Sequence, residues 1–177
     1  MEPGVRLMRP WDMDHVATVG SYQVRAKHQD FDAFYRSTWD DVYRPLAVTL
    51  RDPDLASEAL EEAMTRAYRS WRKVRDFDNQ PGWVYRVALN WATSFRRKTR
   101  REVHGGAPID QSVAATVPDL DLYNALGHLD VKHRAVVVLR YLLDWSEDDV
   151  ATALDIPNGT VKSRLHRALR TLRKELT

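Results

Sequence analysis

The sequence contains no cysteine among its 177 residues. This absence excludes disulfide bonds, thiolate catalysis and any cysteine-ligated zinc site. It also lacks an apolar run near the ~20 residues that a membrane-spanning helix needs, and its first 15 residues have no apolar segment of a secretory signal. Hydrophobic residues make up 44% and charged residues 29%, so the chain can bury a core. We therefore expect a soluble, cytoplasmic protein with one domain or two small ones.

The formal net charge of +2 conceals a strong alternation along the chain. Residues 30–62 carry nine acids and three bases, whereas residues 66–101 carry eleven bases and two acids. Residues 119–155 carry eight acids and three bases, and residues 156–177 carry six bases and one acid. This recurrence predicts two modules, each with a surface that repels nucleic acid and one that attracts it. For any single segment, an ordinary solvated helix face remains the alternative.

The composition also predicts where these modules begin and end. Glycine, proline and small residues dominate residues 103–118, which is typical of a flexible linker. The modules then span residues 30–102 and 119–177, and residues 1–29 are predicted to form an irregular arm. Apolar residues recur at helical spacing in both modules, and no segment alternates with period two. The predicted fold class is therefore all-α.

Single residues in the first module predict the starts and breaks of its helices. Pro45 should kink or split the first helix, and Asp54 is the expected N-cap of the second. A polar loop, residues 75–80, precedes Pro81, which should occupy the first position of the third helix. That helix is expected to continue into the basic segment that ends at Arg101.

The second module is predicted to contain four helices. The first three should span residues 119–126, 131–142 and 146–154, with Ser146 and Asp149 as a loose capping box. Pro157 should open the last one. Its expected buried residues are Val161, Leu165, Ala168, Leu169, Leu172 and Leu176.

Residues 146–168 have the pattern of a helix-turn-helix. A short helix is followed by a tight turn at residues 155–159 and then by a longer basic helix. Such a helix fits the DNA major groove, where side chains reach base edges and cations neutralise phosphates. A solvated basic face without a DNA partner is the alternative. The residues on the face opposite the leucines are Lys162, Ser163, His166, Arg167 and Arg170.

The third helix of the first module interleaves basic and aromatic residues. Aromatic rings stack on unpaired bases and cations follow the backbone, so the pattern favours single-stranded or melting DNA. The alternative is that the aromatic residues are core, and we expect Trp91 and Phe95 to be mostly buried. The loop before the helix supplies Asp78, Asn79 and Gln80, which could read the edge of a flipped base.

Residues 58–68 and 81–90 resemble region two of bacterial sigma factors. Residues 139–141, 146–151 and 159–168 are similar to their region four. The order, the spacing and the short linker resemble the extracytoplasmic-function group of the sigma-70 family, which lacks the domain that housekeeping sigma factors carry between these regions.

This resemblance implies an alternative sigma factor that binds core RNA polymerase and directs promoter recognition, DNA melting and transcription initiation. The implied partners are core RNA polymerase, promoter DNA with its minus-ten and minus-thirty-five elements, and an anti-sigma factor. No cofactor, metal or membrane insertion is expected.

The resemblance also implies roles for individual residues. Glu58, Glu61 and Glu62 match the positions that dock on polymerase, although Gln is usual at Glu61 and Phe is usual at Met64. The residues that match the minus-ten reader are Phe77, Asp78, Asn79, Gln80, Trp83, Arg86, Asn90 and Arg97. Those that match the minus-thirty-five reader are Thr160, Lys162, Ser163, Arg164, His166 and Arg167.

A two-domain regulator and an enzyme are the alternatives to a sigma factor. A two-domain regulator could bind duplex operators through the helix-turn-helix and use the first module as a sensor. An enzyme is disfavoured because the six histidines form no pair at metal-binding spacing and no glycine-rich phosphate loop is present. His128 and His133 are five positions apart and do not share a helical face. We therefore expect no catalysis by the chain itself.

Overall fold

The computed structural model describes residues 12–102 and 120–177, with side chains for residues 30–99 and 120–177. This described part contains eight helices and no strand, which confirms the all-α fold. By internal contacts, the chain divides into two compact units, residues 1–36 and residues 37–177. No helix of the described part is long and apolar enough to cross a membrane. The helices are α1 (Asp12–Leu50), α2 (Pro53–Arg69), α3 (Trp71–Val74), α4 (Gln80–Glu102), α5 (Leu120–Gly127), α6 (Val131–Tyr141), α7 (Glu147–Leu154) and α8 (Asn158–Glu175).

Helix α1 begins at Asp12, within the segment that we predicted to be an irregular arm. That prediction is wrong for residues 12–29, which are helical, and residues 1–11 lie outside the described residues. Between Asp12 and Arg44 the sequence has no proline and one glycine, Gly20. A single glycine costs a helix only about 1 kcal/mol, so no local signal ends α1 before the first module.

Pro45 lies inside α1 and does not split it. The other predicted outcome, a kink at Pro45, stays a prediction. A proline within a helix removes one backbone hydrogen bond and crowds the preceding turn. Here the turn that follows is fixed by burial, because Leu46 and Leu50 are almost completely inaccessible to solvent. Packing of this turn offsets the local cost of the proline.

Helix α2 is capped by Asp52. We had predicted Asp54 as the cap, and that prediction is wrong. The Asp52 Oδ1 atom accepts a hydrogen bond from the Leu55 N–H at 2.9 Å. Pro53 explains the shift, since its fixed φ and missing N–H suit the first helical position and leave the preceding residue as the cap. Asp54 lies in the first turn, where a carboxylate interacts favourably with the helix dipole.

Helices α2 and α4 form the centre of the first module. Small side chains at their contact allow the two backbones to approach closely. The larger Tyr85 is fully buried, and its hydroxyl lies 2.6 Å from the Thr49 hydroxyl near the end of α1. Burial raises the pKa of Tyr85, so the phenol stays neutral and joins α4 to α1. The fully buried alanines at this contact are Ala59, Ala63, Ala67, Ala88 and Ala92.

The helices of the second module begin and end within one or two residues of their predicted positions. Asp130 caps α6 by accepting hydrogen bonds from the N–H groups of Lys132 and His133 at 2.8 and 3.1 Å. Arg134, one turn later, is buried and donates to the carbonyls of Leu126 and Leu129 at 2.7 and 2.6 Å. Arg134 therefore satisfies carbonyls that the connection between α5 and α6 would otherwise bury without partners.

Helices α7 and α8 have the arrangement of a helix-turn-helix. The predicted capping box is complete, because Ser146 Oγ accepts from the Asp149 N–H and the Asp149 carboxylate accepts from the Ser146 N–H, both at 3.1 Å. Asp155 ends α7 with φ of 55°, the left-handed conformation that reverses the chain. Pro157 then occupies the N-cap position of α8.

The buried stripe of α8 is narrower than predicted. Val161, Leu165, Ala168 and Leu172 are buried as expected. The prediction was wrong for the two remaining leucines, Leu169 and Leu176, which are 38% and 51% exposed. At 100° per residue, Leu169 lies at the border of the buried stripe. Leu176 follows Glu175, the last residue of α8.

Candidate nucleic-acid and polymerase interfaces

The loop before α4 uses its polar side chains to start the helix. Asn79 Oδ1 accepts a hydrogen bond from the Gly82 N–H at 2.7 Å, and Gln80 Nε2 donates to the Arg75 carbonyl at 2.7 Å. Helix α4 begins at Gln80, so Pro81 is its second residue and not its first. Phe77 and Asp78 remain exposed. Of the four predicted loop residues, two are therefore engaged by the backbone and two face solvent.

Four further predicted DNA-contacting residues share one face of α4. Trp83, Arg86, Asn90 and Arg97 fall within about 60° of one another around the helix axis at 100° per residue. Asn90 and Arg97 are exposed, while Trp83 and Arg86 are half-buried. The Trp83 ring lies 6.1 Å from the ring of Phe77, which is 41% exposed. This stripe combines an aromatic pair, an amide and two cations, and we call it the α4 stripe.

We expected Trp91 and Phe95 to be mostly buried in the core, but neither side chain is buried. Phe95 is 43% exposed, Trp91 is half-buried, and their rings stack with centroids 5.1 Å apart. The core of α4 is instead filled by Val84, Tyr85 and Ala88, which lie nearer the start of the helix. At 100° per residue, Trp91 and Phe95 lie on the same side of α4 as Val84 and Ala88, so this second accessible aromatic pair faces away from the α4 stripe.

Helix α8 presents four of its six predicted DNA contacts on one exposed face. Lys162, Ser163, His166 and Arg167 are exposed and lie opposite the buried stripe. Thr160 and Arg164 are half-buried at its flank, so the structure places them beside the face and not at its centre. The Lys162 ammonium lies 3.8 Å from the Glu147 carboxylate of α7, a loose pair on the surface.

The three predicted polymerase-binding glutamates lie on the solvent side of α2. Glu58 and Glu61 are exposed, and Glu62 is half-buried. Glu62 pairs with Arg66 one turn later, at 2.8 Å between carboxylate and guanidinium. The opposite face of α2 packs on α4, so this acidic face is separate from the α4 stripe.

The two modules contact each other within residues 37–177, and no sequence pattern predicts this contact. Arg86 Nη1 of α4 lies 3.1 Å from Asp155 Oδ2 in the turn of the helix-turn-helix. The backbone of Gly82 approaches α7 so closely that an added Cβ would lie 2.8 Å from the Ala153 Cβ. The C-terminal end of α7 therefore packs against the first two turns of α4.

A second contact joins the end of α1 to α5 and α6. Arg134 Nη1 donates to the Thr49 carbonyl at 2.7 Å, and the Arg51 guanidinium lies 4.6 Å above the Tyr123 ring. Burial, together with the nearby charges of Arg51 and Arg96, lowers the pKa of Arg134 to about 10. Arg134 is thus still charged at neutral pH. Both contacts join residues far apart in the sequence.

No group of histidine, aspartate and glutamate in the described residues could hold a metal ion. The candidate surfaces of this part of the chain are faces of helices.

Comparison with known proteins identifies the family. A family model described as "Sigma-70, region 4" matches residues 119–172. The chain is 32% identical over 152 residues to the RNA polymerase sigma-E factor of Streptomyces coelicolor, covering 83% of this chain and 86% of that protein. It is 34% identical over 135 residues to the ECF RNA polymerase sigma factor SigL of Mycobacterium tuberculosis, covering 71% and 76%.

The fold is also similar to a solved structure. The sigma factor RpoE from Bartonella quintana, in its co-crystal structure with the anti-sigma factor NepR, matches with a TM-score of 0.69 at 21% identity. The match covers 84% of this chain and 97% of that one. Together with relatives above 30% identity over most of both sequences, these findings confirm the resemblance that the motifs indicated: the chain belongs to the extracytoplasmic-function sigma factors of the sigma-70 family.

Proposed function

We propose that this chain binds core RNA polymerase as an alternative sigma factor and directs it to promoters through two separate DNA-reading surfaces. The observation that supports this most directly is the pairing of two chemically different faces in one chain. Helix α8 presents cations and small polar groups, whereas the α4 stripe presents aromatic and amide groups. Promoter recognition requires both a duplex reader and a reader of unpaired bases.

The exposed face of α8 is assigned to the minus-thirty-five element. Lys162, Ser163, His166 and Arg167 have the width and chemistry for base edges and phosphates in a major groove. Thr160 and Arg164 flank this face and are assigned to the sugar-phosphate backbone at its edge. This module, residues 119–177, is region four.

The α4 stripe and the loop before it are assigned to the minus-ten element. Phe77 and Trp83 provide rings on which an unpaired base can stack. Asn90 and Arg97 continue the stripe toward the basic end of α4, where cations follow the displaced strand. Asp78, Asn79 and Gln80 lie at the start of the helix beside these rings, where they could receive a flipped base. This module, residues 30–102, is region two.

The acidic face of α2 is assigned to core RNA polymerase. Glu58 and Glu61 are neighbours on the exposed face, where like charges repel each other by a few tenths of a kcal/mol. A basic partner surface would relieve this repulsion, whereas DNA would increase it. This assignment separates the polymerase contact from both DNA-reading surfaces.

The remaining assignments follow from membership of the family. Residues 103–118 would link the two modules, and an anti-sigma factor would be the regulatory partner, as it is for the RpoE structure that this fold resembles. The chain would act in the cytoplasm, where promoter DNA and polymerase are found, and without catalysis of its own.

Transcription with purified components tests the function. Core RNA polymerase with this protein should give run-off transcripts from a subset of genomic fragments, and mapped start sites should share two upstream elements. The double variant Glu61→Lys/Glu62→Lys should lose co-purification with core enzyme, while Asp121→Lys, an exposed charge reversal in α5, should retain it. Duplex binding without any run-off product would favour the operator-binding regulator instead.

A further inference from the structure

The contact between α4 and the helix-turn-helix engages a residue of the α4 stripe. The Arg86 guanidinium is paired with the Asp155 carboxylate at 3.1 Å. The Arg86 side chain is 26% exposed, so most of it is covered, whereas the Asp155 side chain is 82% exposed. The carboxylate therefore reaches Arg86 from the solvent side.

The backbone around this ion pair is equally close. Gly82 leaves no room for a side chain, since an added Cβ would lie 2.7 Å from the Asn79 amide and 2.8 Å from the Ala153 Cβ. Asn79 and Arg86 belong to the surface assigned to the minus-ten element, and Gly82 lies between them in the sequence. The end of the first helix of the helix-turn-helix thus packs against the part of α4 that the proposed function assigns to unpaired DNA.

We propose that the free chain holds its own helix-turn-helix against the α4 stripe, with the Asp155 carboxylate in the position that a promoter phosphate takes on Arg86. Carboxylate and phosphate are equivalent partners for a guanidinium, because each offers oxygens that accept its N–H groups. A phosphate that takes the Arg86 Nη1 donor has to displace the Asp155 carboxylate from it. This inference rests on the proposed function, since it concerns the accessibility of the minus-ten reader.

The ion pair between Arg86 and Asp155 is weak enough for a DNA strand to displace it. An ion pair with one largely exposed partner is weak and is screened by salt. A DNA strand that brings several phosphates to α4 can therefore displace it. The closed arrangement would lower non-specific DNA binding by the free protein without blocking assembly of the polymerase complex.

Distance measurement on the full chain tests this directly. The chain has no cysteine, so Thr99→Cys in α4, on the side away from the α4 stripe, and Thr152→Cys in α7, both at exposed positions, can carry a fluorescent donor and acceptor. The test variant is Asp155→Asn, because asparagine tolerates the left-handed backbone and removes only the charge. Asp144→Asn is the matched control, since Asp144 has φ of 52° and pairs with Arg140 at 3.2 Å. A second test variant, Gly82→Ala, changes no charge and adds a Cβ that would meet both the Asn79 amide and the Ala153 Cβ, so that both Asn79 and α7 have to move.

The proposal predicts four results. Energy transfer should fall in Asp155→Asn and in Gly82→Ala, and should stay unchanged in Asp144→Asn. Affinity of the free protein for a single-stranded minus-ten oligonucleotide should rise by about two- to fivefold in Asp155→Asn, the range expected for a weak ion pair. Added salt should lower energy transfer in the wild type. Core polymerase with promoter DNA should lower it further.

Two results would overturn the proposal: equal energy transfer in wild type and both test variants, or high energy transfer that persists in the promoter complex. Run-off transcription with the same samples separates this inference from the function. If core polymerase with the unlabelled wild-type protein gives no run-off transcript, the sigma-factor assignment is refuted. Normal transcription with an unchanged distance would refute only the closed arrangement.

Discussion

At the scale of single residues, buried polar groups decide how the helices are joined. Tyr85 and Thr49 share a hydrogen bond inside the first module. Arg134 lies at the junction of three segments, where its guanidinium serves the carbonyls of Leu126, Leu129 and Thr49. A planar group with five donors can satisfy several acceptors at fixed angles, and lysine cannot.

Replacing Arg134 with lysine should therefore destabilise the protein although the charge is kept. At least two buried carbonyls would lose their partners, at about 1–3 kcal/mol each, so we expect a loss of about 2–6 kcal/mol in the free energy of unfolding. Urea denaturation followed by circular dichroism measures it. Arg140→Lys is the control, because Arg140 forms a surface pair with Asp144. Equal urea midpoints for Arg134→Lys and Arg140→Lys would show that the hydrogen bonds from Arg134 to the buried carbonyls do not stabilise the protein.

At the scale of helices, local signals fixed most starts and ends. The capping box at Ser146 placed α7 to within one residue, because caps depend on side chains two or three positions away. The same reasoning missed the cap of α2, where Pro53 displaced the cap to Asp52. It also missed the exposure of Phe95 and Leu169, because amphipathic spacing identifies a face but not the width of the surface that covers it.

The capping box gives a prediction at this scale. Ser146→Ala should lower the free energy of unfolding by about 1 kcal/mol, since the Asp149 N–H loses its acceptor. Thermal unfolding monitored by circular dichroism should show the change. Ser94→Ala, at an exposed position inside α4, should change stability by less than about 0.5 kcal/mol. If both variants unfold alike, the cap contributes nothing to α7.

At the scale of the whole molecule, the sequence predicted the helical modules but not their contact. The charge alternation and motifs indicated a basic α8 and a mixed aromatic and basic α4. The pairing of Arg86 with Asp155 joins residues 69 positions apart, and neither residue stands in a local pattern that reports it. Contacts of this kind depend on how two surfaces meet after each module has folded, so periodicity and capping carry no information about them.

The central claim is that the two modules read two different promoter elements. The most direct test measures run-off transcription on promoters mutated separately in the minus-ten and minus-thirty-five elements, comparing Arg167→Ala with Asn90→Ala. Arg173→Ala, at an exposed position near the end of α8, and Thr99→Ala, at an exposed position on the side of α4 away from the stripe, serve as controls. We predict that Arg167→Ala costs about 1–3 kcal/mol of promoter binding and loses discrimination only at the minus-thirty-five element, while Asn90→Ala changes preference only at the minus-ten element. If both substitutions alter discrimination at the same element, the account is contradicted.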